Sequence, residues 1–198
     1  MQYDIKNFLK IDLTEIIKNH LSIVETFDNI EESFDIKDPY KFIQNLDKYI
    51  LHTIEEVIEY FDSVYTMKDE VVDIFNYLLS NAAILYKVRG RIKIVDFGNQ
   101  KFVNEQDINV LLLEIISNLI AIRRLFPERK WHNNETIKEV SDEILEIAQI
   151  HIINAIYVLF LICSNYFYLE LSPETLIEKS KIKAESIVSN YKLDKEKG

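Results

Sequence analysis

The chain has 198 residues and a mass of 23.5 kDa, enough for one domain spanning 1–198 with a substantial hydrophobic core. Hydrophobic residues at 48% and charged residues at 28% exclude wholesale disorder, and a net charge of −10 argues against a nucleic-acid partner, because duplex binding needs a basic surface. Only 3 Gly and 3 Pro leave few tight turns, which excludes sandwiches, barrels and doubly wound sheets and predicts an all-α bundle of five to six long helices.

The opening MQYDIKNFLK is broken by charges and followed by no apolar run, so it does not read as a signal peptide. Helical spacing of Phe8, Leu9, Ile16, Ile17, Leu21 and Val24 predicts a first helix over Asp4 to Thr26. Asp38-Pro39 starts a second, with Asp38 as N-cap and Pro39 in the first position; its apolar residues from Phe42 to Phe61 recur every three or four, to about Tyr65. A third spans about Lys68 to Lys87. Between Val88 and Phe102 the texture changes: Arg91 to Phe97 alternates between Gly90 and Gly98, which reads as a short strand or β-hairpin arm near 90–102 linking two helical halves. A fourth helix runs from about Glu105 to Phe126, stopped by Pro127, and a fifth from about Glu135 to Leu169. Ser172 caps a last helix that begins at Pro173 and runs to about Tyr191, leaving the tail LDKEKG frayed.

Within the fifth helix, Ile152 to Cys163 is the longest apolar stretch. It is shorter than the ~18 residues of a membrane span and reads as a buried central helix, with no membrane partner. The lone Cys163 excludes a disulfide framework and a multi-cysteine zinc site, fits a reducing, cytoplasmic setting, and reads as an inert core thiol. His151 and Asn154 read as hydrogen-bonded core polar groups. His20 and His52 have no spacing that suggests zinc. This helix is apolar nearly all round and ends in Tyr166-Phe167-Tyr168, three aromatics that point about 100° apart. That pattern predicts self-association as a homodimer, with at least one aromatic on a contact surface.

The segment HTIEEVIEYFDSVYTMKDEVVDIFNYLLSNAAIL carries the chemistry. Glu55 and Glu59 share one helix face with Glu56 one step round it, and Glu70 and Asp73 share a face of the next helix. Antiparallel pairing of helices two and three brings both sets together. Converging carboxylates repel unless a cation lies between them, and their oxygens suit Mg²⁺ or Mn²⁺, which take phosphate oxygens as further ligands. Glu70, Asp73, Tyr77, Ser80 and Asn81 form a polar stripe on an otherwise apolar helix; such a stripe is either an outer face or an internal site.

EExxE at 55–59 followed by ExxD at 70–73 in a DIFNYLL context resembles the all-α nucleotide pyrophosphohydrolases, the superfamily of MazG and the dimeric dUTPases and dCTPases. The resemblance is best over Ile11 to Leu85. It implies a helical bundle assembled from paired chains. It also implies Mg²⁺ held by Glu55, Glu56, Glu59, Glu70 and Asp73, with cleavage of a nucleoside triphosphate to a monophosphate and pyrophosphate. Glu56 is then the residue that polarises the attacking water, and Tyr77 and Asn81 contact sugar and base. The last segment, LSPETLIEKSKIKAESIVSNY, is similar to the family's closing helix: Lys179 and Lys181 match phosphate-contacting lysines, while Lys183 and Ser186 stand where an Asn and an Arg are expected. Ten residues separate Glu59 from Glu70, fewer than the family's usual spacing, so the turn must be tight. Glu146-x-x-Gln149 echoes Glu70-x-x-Asp73 in the second half, with Gln in place of Asp, and is expected to be structural.

Arg123 to His132 is a basic run in an acidic chain and holds the only Trp. Either Arg129 or Lys130 reaches a triphosphate while Trp131 stacks on a base, or the run closes a helix against its dipole with Trp131 packed on the bundle. The expected function is therefore a Mg²⁺-dependent nucleoside triphosphate pyrophosphohydrolase. The rival is a non-catalytic helical interaction protein that keeps the fold.

Overall fold

The computed structural model describes residues 11–27, 39–62, 67–92, 107–126, 140–167 and 170–197. Six helices occupy them: α1 (Leu13–Phe27), α2 (Pro39–Asp62), α3 (Met67–Arg89), α4 (Ile108–Leu125), α5 (Asp142–Tyr166) and α6 (Pro173–Lys197), and no strand occurs among the described residues. The expected hairpin arm falls largely on 93–102, outside them, as does the Asp38 cap.

Local chemistry sets most helix ends. Asp12 Oδ1 accepts from the backbone N–H groups of Thr14 at 3.0 Å and Glu15 at 3.3 Å, so α1 opens at Leu13 and the expected helix from Asp4 does not run unbroken through this point. α3 stops at Gly90, whose φ of 66° is costly for a residue with a Cβ and whose N–H closes on the Tyr86 carbonyl at 2.7 Å. Asp107 caps α4 by accepting from Asn109 N–H. Ser141 caps α5 by accepting from Ile144 N–H, so α5 begins at Asp142, and it ends at Tyr166, short of the expected Leu169. Ser172 caps α6 as expected, accepting from Thr175 N–H at 3.3 Å. α6 continues through Lys197, where a frayed tail was expected.

α3 is the hub. It packs against α1, α2, α5 and α6, and Val71, Val72, Ile74, Phe75, Leu78, Leu79 and Ala82 to Leu85 are all buried. α5 is also buried along Ile152 to Ser164, with only Asn154 part-exposed, but it touches fewer helices: α3, α4 and α6. By length and composition both α3 and α5 could cross a membrane, yet most of each apolar window lies inside the bundle. Side-chain pairs fix directions. Tyr49 meets Tyr77 and Glu56 meets Asp73, so α2 and α3 are antiparallel; Ser180 meets Asn76 and Lys183 meets Asp73, so α6 also runs against α3.

The second half is tied to α3 by Arg89, whose side chain is only 1% exposed. Its guanidinium donates to Asp142 Oδ1 (2.8 Å) and Oδ2 (3.0 Å), to Glu146 Oε2 (2.9 Å) and to Gln149 Oε1 (2.7 Å), while Gln149 Nε2 donates to the Arg91 carbonyl. Glu146 and Gln149 are thus committed to an internal cation, in keeping with the structural role expected of them. Arg123 pairs with Asp47 across α4 and α2, whereas Arg129, Lys130 and Trp131 lie outside the described residues.

The premise for self-association changes. α5 is covered within its own chain, so its all-round apolarity requires no partner. Of the three aromatics, Tyr166 is exposed, Phe167 is half-buried and Tyr168 lies outside the described residues. Exposed apolar side chains instead line two neighbouring helices: Leu51, Ile58 and Phe61 on α2, and Val110, Leu113 and Ile120 on α4. Phe42 stacks edge-on against Phe126 and Asp47 meets Arg123, which makes these helices antiparallel and places the two stripes at matching heights.

Candidate metal centre

α2 and α3 bring their acidic faces together. One carboxylate oxygen each from Glu56, Glu70 and Asp73 lies within 4.8 Å of the other two, all three residues being partly buried. Oxygens at about 2.1 Å from one ion stand at most roughly 4.2 Å apart, so a single small hard cation would need these carboxylates to draw slightly together. The other two expected ligands are on the rim. Glu55 is exposed and accepts from His52 Nδ1 at 2.8 Å; Glu59 is exposed, near enough for its charge to act on Glu56.

The carboxylates repel one another, and the Lys183 ammonium offsets only part of that repulsion. The Glu56 carboxyl is pushed up to about 7, first by burial, then by the charges of Asp73 and Glu59 and by a hydrogen bond shared with Glu70. A carboxyl–carboxylate hydrogen bond needs a proton between the pair, so near neutrality that proton does part of what a cation would do. Burial also raises Asp73, against the lowering effect of Lys183, whose Nζ donates to Asp73 Oδ2 at 2.5 Å. Tyr77 is held above the ordinary phenol range by burial and by Glu56, Asp73, Glu55 and Glu59.

Beside the cluster is a cavity of about 260 Å³, near the lower end of the ~300–1,000 Å³ typical of small-molecule sites. Asp73 forms part of its wall. The rest comes from α1 (His20, Ile23, Val24), α2 (Lys48, Tyr49, His52), α3 (Asn76, Tyr77, Ser80) and α6 (Ala184, Ile187). His52 stacks on Tyr77 with ring centroids 5.2 Å apart, and Tyr49 lies tilted beside it. Asn76 Oδ1 accepts from Ser180 Oγ at 2.5 Å.

Tyr77 lines the cavity, and Lys183 reaches the acidic cluster through Asp73. Asn81 does neither: it is fully buried, its Nδ2 donates to the Tyr77 carbonyl, and its Oδ1 has no partner among the described residues. Lys179 and Lys181 are exposed on α6, and Lys181 sits 3.9 Å from Glu185. Sequence reasoning gave no site role to His20 or Asn76, whereas Ser80 stood in the polar stripe it singled out. The legible signal for His20 was its place in the buried stripe Ile17, His20, Val24, where an aliphatic residue is the ordinary choice. Of the other lone groups, His151 Nδ1 pairs with Asn118 Oδ1 at 2.9 Å, Asn154 Oδ1 is buried with no partner among the described residues where a hydrogen-bonded group was expected, and burial pushes the Cys163 thiol up to about 12.

No protein-family model, curated protein or solved structure matches this chain.

Proposed function

We propose that the protein is a Mg²⁺-dependent nucleoside triphosphate pyrophosphohydrolase, releasing a monophosphate and pyrophosphate, with Mn²⁺ as an alternative ion. The observation that carries this reading is the convergence of Glu56, Glu70 and Asp73 from two helices beside a cavity with an aromatic wall. These three carboxylates would hold the ion, with Glu55 and Glu59 at the rim. A bound divalent ion would neutralise phosphate charge and lower the pKa of a coordinated water. The chain's own residues would do the rest. The cavity wall of Tyr49, His52 and Tyr77 would receive the planar base, and Lys183, with Lys179 and Lys181 further out, would meet phosphate oxygens. Glu56 would also take a proton from the attacking water at its carboxylate oxygen.

A homodimer formed through the apolar stripes of α2 and α4 belongs to the same reading, since six exposed apolar side chains on adjacent helices favour a covering surface. The deciding assay is pyrophosphate release from a panel of nucleoside triphosphates with Mg²⁺ and with chelator. Release that needs the ion and disappears in Asp73→Ala supports the reading. No release from any member of the panel favours the non-catalytic interaction protein.

A further inference from the structure

Asp73 has two claims on it. Its Oδ2 accepts from Lys183 Nζ at 2.5 Å, and it also supplies an oxygen to the acidic triad. α6 is moored independently of that ammonium, because one turn earlier Ser180 donates to Asn76 Oδ1. The Lys183 side chain is 40% exposed and that of Asp73 is 22% exposed, so water reaches the lysine end of the pair. A divalent ion takes a carboxylate oxygen at about 2.1 Å, which would put an ammonium hydrogen-bonded to the same carboxylate within roughly 5 Å of it. At that range two positive charges repel, and the monovalent one is also the one with water to return to.

Resting on the reading of Glu56, Glu70 and Asp73 as metal ligands, we propose that Lys183 is a built-in counter-ion of Asp73 that the divalent ion displaces, and that the released ammonium then takes the anionic group of the ligand. The mooring at Ser180 keeps the freed side chain over the site. Lys183 is thus masked before the ion arrives and available afterwards, so ion and anion bind in that order. Removing the lysine has opposite effects on the two events: the ion loses a competitor and the anion loses a partner. A lysine that merely pins α6 to α3 produces no such opposition.

The test uses the full chain and two probes, Mn²⁺ followed by electron paramagnetic resonance and inorganic pyrophosphate followed by calorimetry in saturating Mn²⁺. For Lys183→Gln we expect Mn²⁺ to bind on the order of tenfold tighter and pyrophosphate on the order of tenfold more weakly, about the worth of one charge contact in a half-exposed site. Lys183→Arg should restore both values toward wild type, and its retained charge preserves the pairing should the Gln variant loosen α6. Equal or weaker Mn²⁺ binding by Lys183→Gln overturns the counter-ion role while leaving the metal centre standing. Unchanged pyrophosphate binding overturns the second position of the lysine. Failure of Mn²⁺ to bind the wild-type chain overturns the metal centre and this inference with it.

Discussion

His20 Nε2 lies 3.0 Å from Ser80 Oγ, and that hydroxyl already donates to the Asn76 carbonyl at 3.0 Å. The hydroxyl has one hydrogen, so Nε2 must be the donor. Burial holds this histidine down to about 4, which leaves a neutral ring with Nδ1 as an acceptor beside the cavity.

That protonation state gives the first prediction. An unfolded histidine gains its proton near pH 6.5 and the folded one only near 4, so the stability it contributes is present above 6.5 and lost as pH falls from 6.5 to 4. Glu56 acts in the opposite sense. Its unfolded carboxyl loses its proton near 4.5 and the folded one near 7, so stability is lost as pH rises through that window. Between pH 4.5 and 6.5 the two oppose each other. In metal-free buffer, His20→Gln should leave a melting temperature that falls with rising pH relative to wild type, and Glu56→Gln one that rises. Each difference should be on the order of 1–2 kcal/mol once solvent screening of the half-exposed carboxyl is allowed for. Profiles that both track wild type would show that these groups titrate normally.

Asp73→Ala should abolish ion-dependent turnover and leave a folded protein. The change removes one ligand but also one of the charges that Glu56 and Glu70 repel. Melting with and without Mg²⁺ separates the effects: wild type should gain about 2.7 kcal/mol at a hundred times the dissociation constant, and the variant nothing. A full Mg²⁺ shift in the variant would remove Asp73 from the ligand set.

Arg89→Met should be destabilising by about 2–3 kcal/mol, read as a lower urea midpoint. The guanidinium is buried and serves three partners on α5, although Asp142 is itself half in water, which puts the cost at the low end for a buried pair. An unshifted midpoint would mean that the two halves are held by apolar packing alone.

Light scattering at micromolar concentration should give about twice 23.5 kDa. Ile58→Lys together with Leu113→Lys should give a monomer with unchanged helicity, because both side chains are exposed and contribute little to the core. A wild-type monomer, or a double variant that still pairs, would place the interface elsewhere.

The helices were legible because apolar spacing and caps agree: Pro39 and the Ser172 cap fall where the sequence puts them. Their ends were less so, since Asp12 and Ser141 stop helices through a side-chain hydrogen bond that periodicity does not register. The acidic triad was legible as two faces, but which glutamates turn inward depends on how α2 rolls against α3. Burying Thr53, Val57 and Tyr60 rolls Glu56 in and leaves Glu55 and Glu59 on the rim. Ile152 to Cys163 read as a buried helix and is one, but the central role of α3 was not legible, because topology rather than apolarity decides how many helices a given one meets. Asn81 read as a ligand residue because a helical wheel cannot tell an internal site from an internal polar group.

The place of α3 at the centre has a consequence for motion. An amide in a helix flanked by four others exchanges with solvent only when the whole bundle opens, so Glu70, Asp73 and Tyr77 are carried by backbone that should exchange slowest. α6 touches fewer residues of the core and brings Lys183 from the periphery, where sub-global opening is cheap. Hydrogen exchange should therefore find the amides of α6 opening before those that carry Asp73, so that lysine and carboxylate meet across a boundary between two tiers of stability.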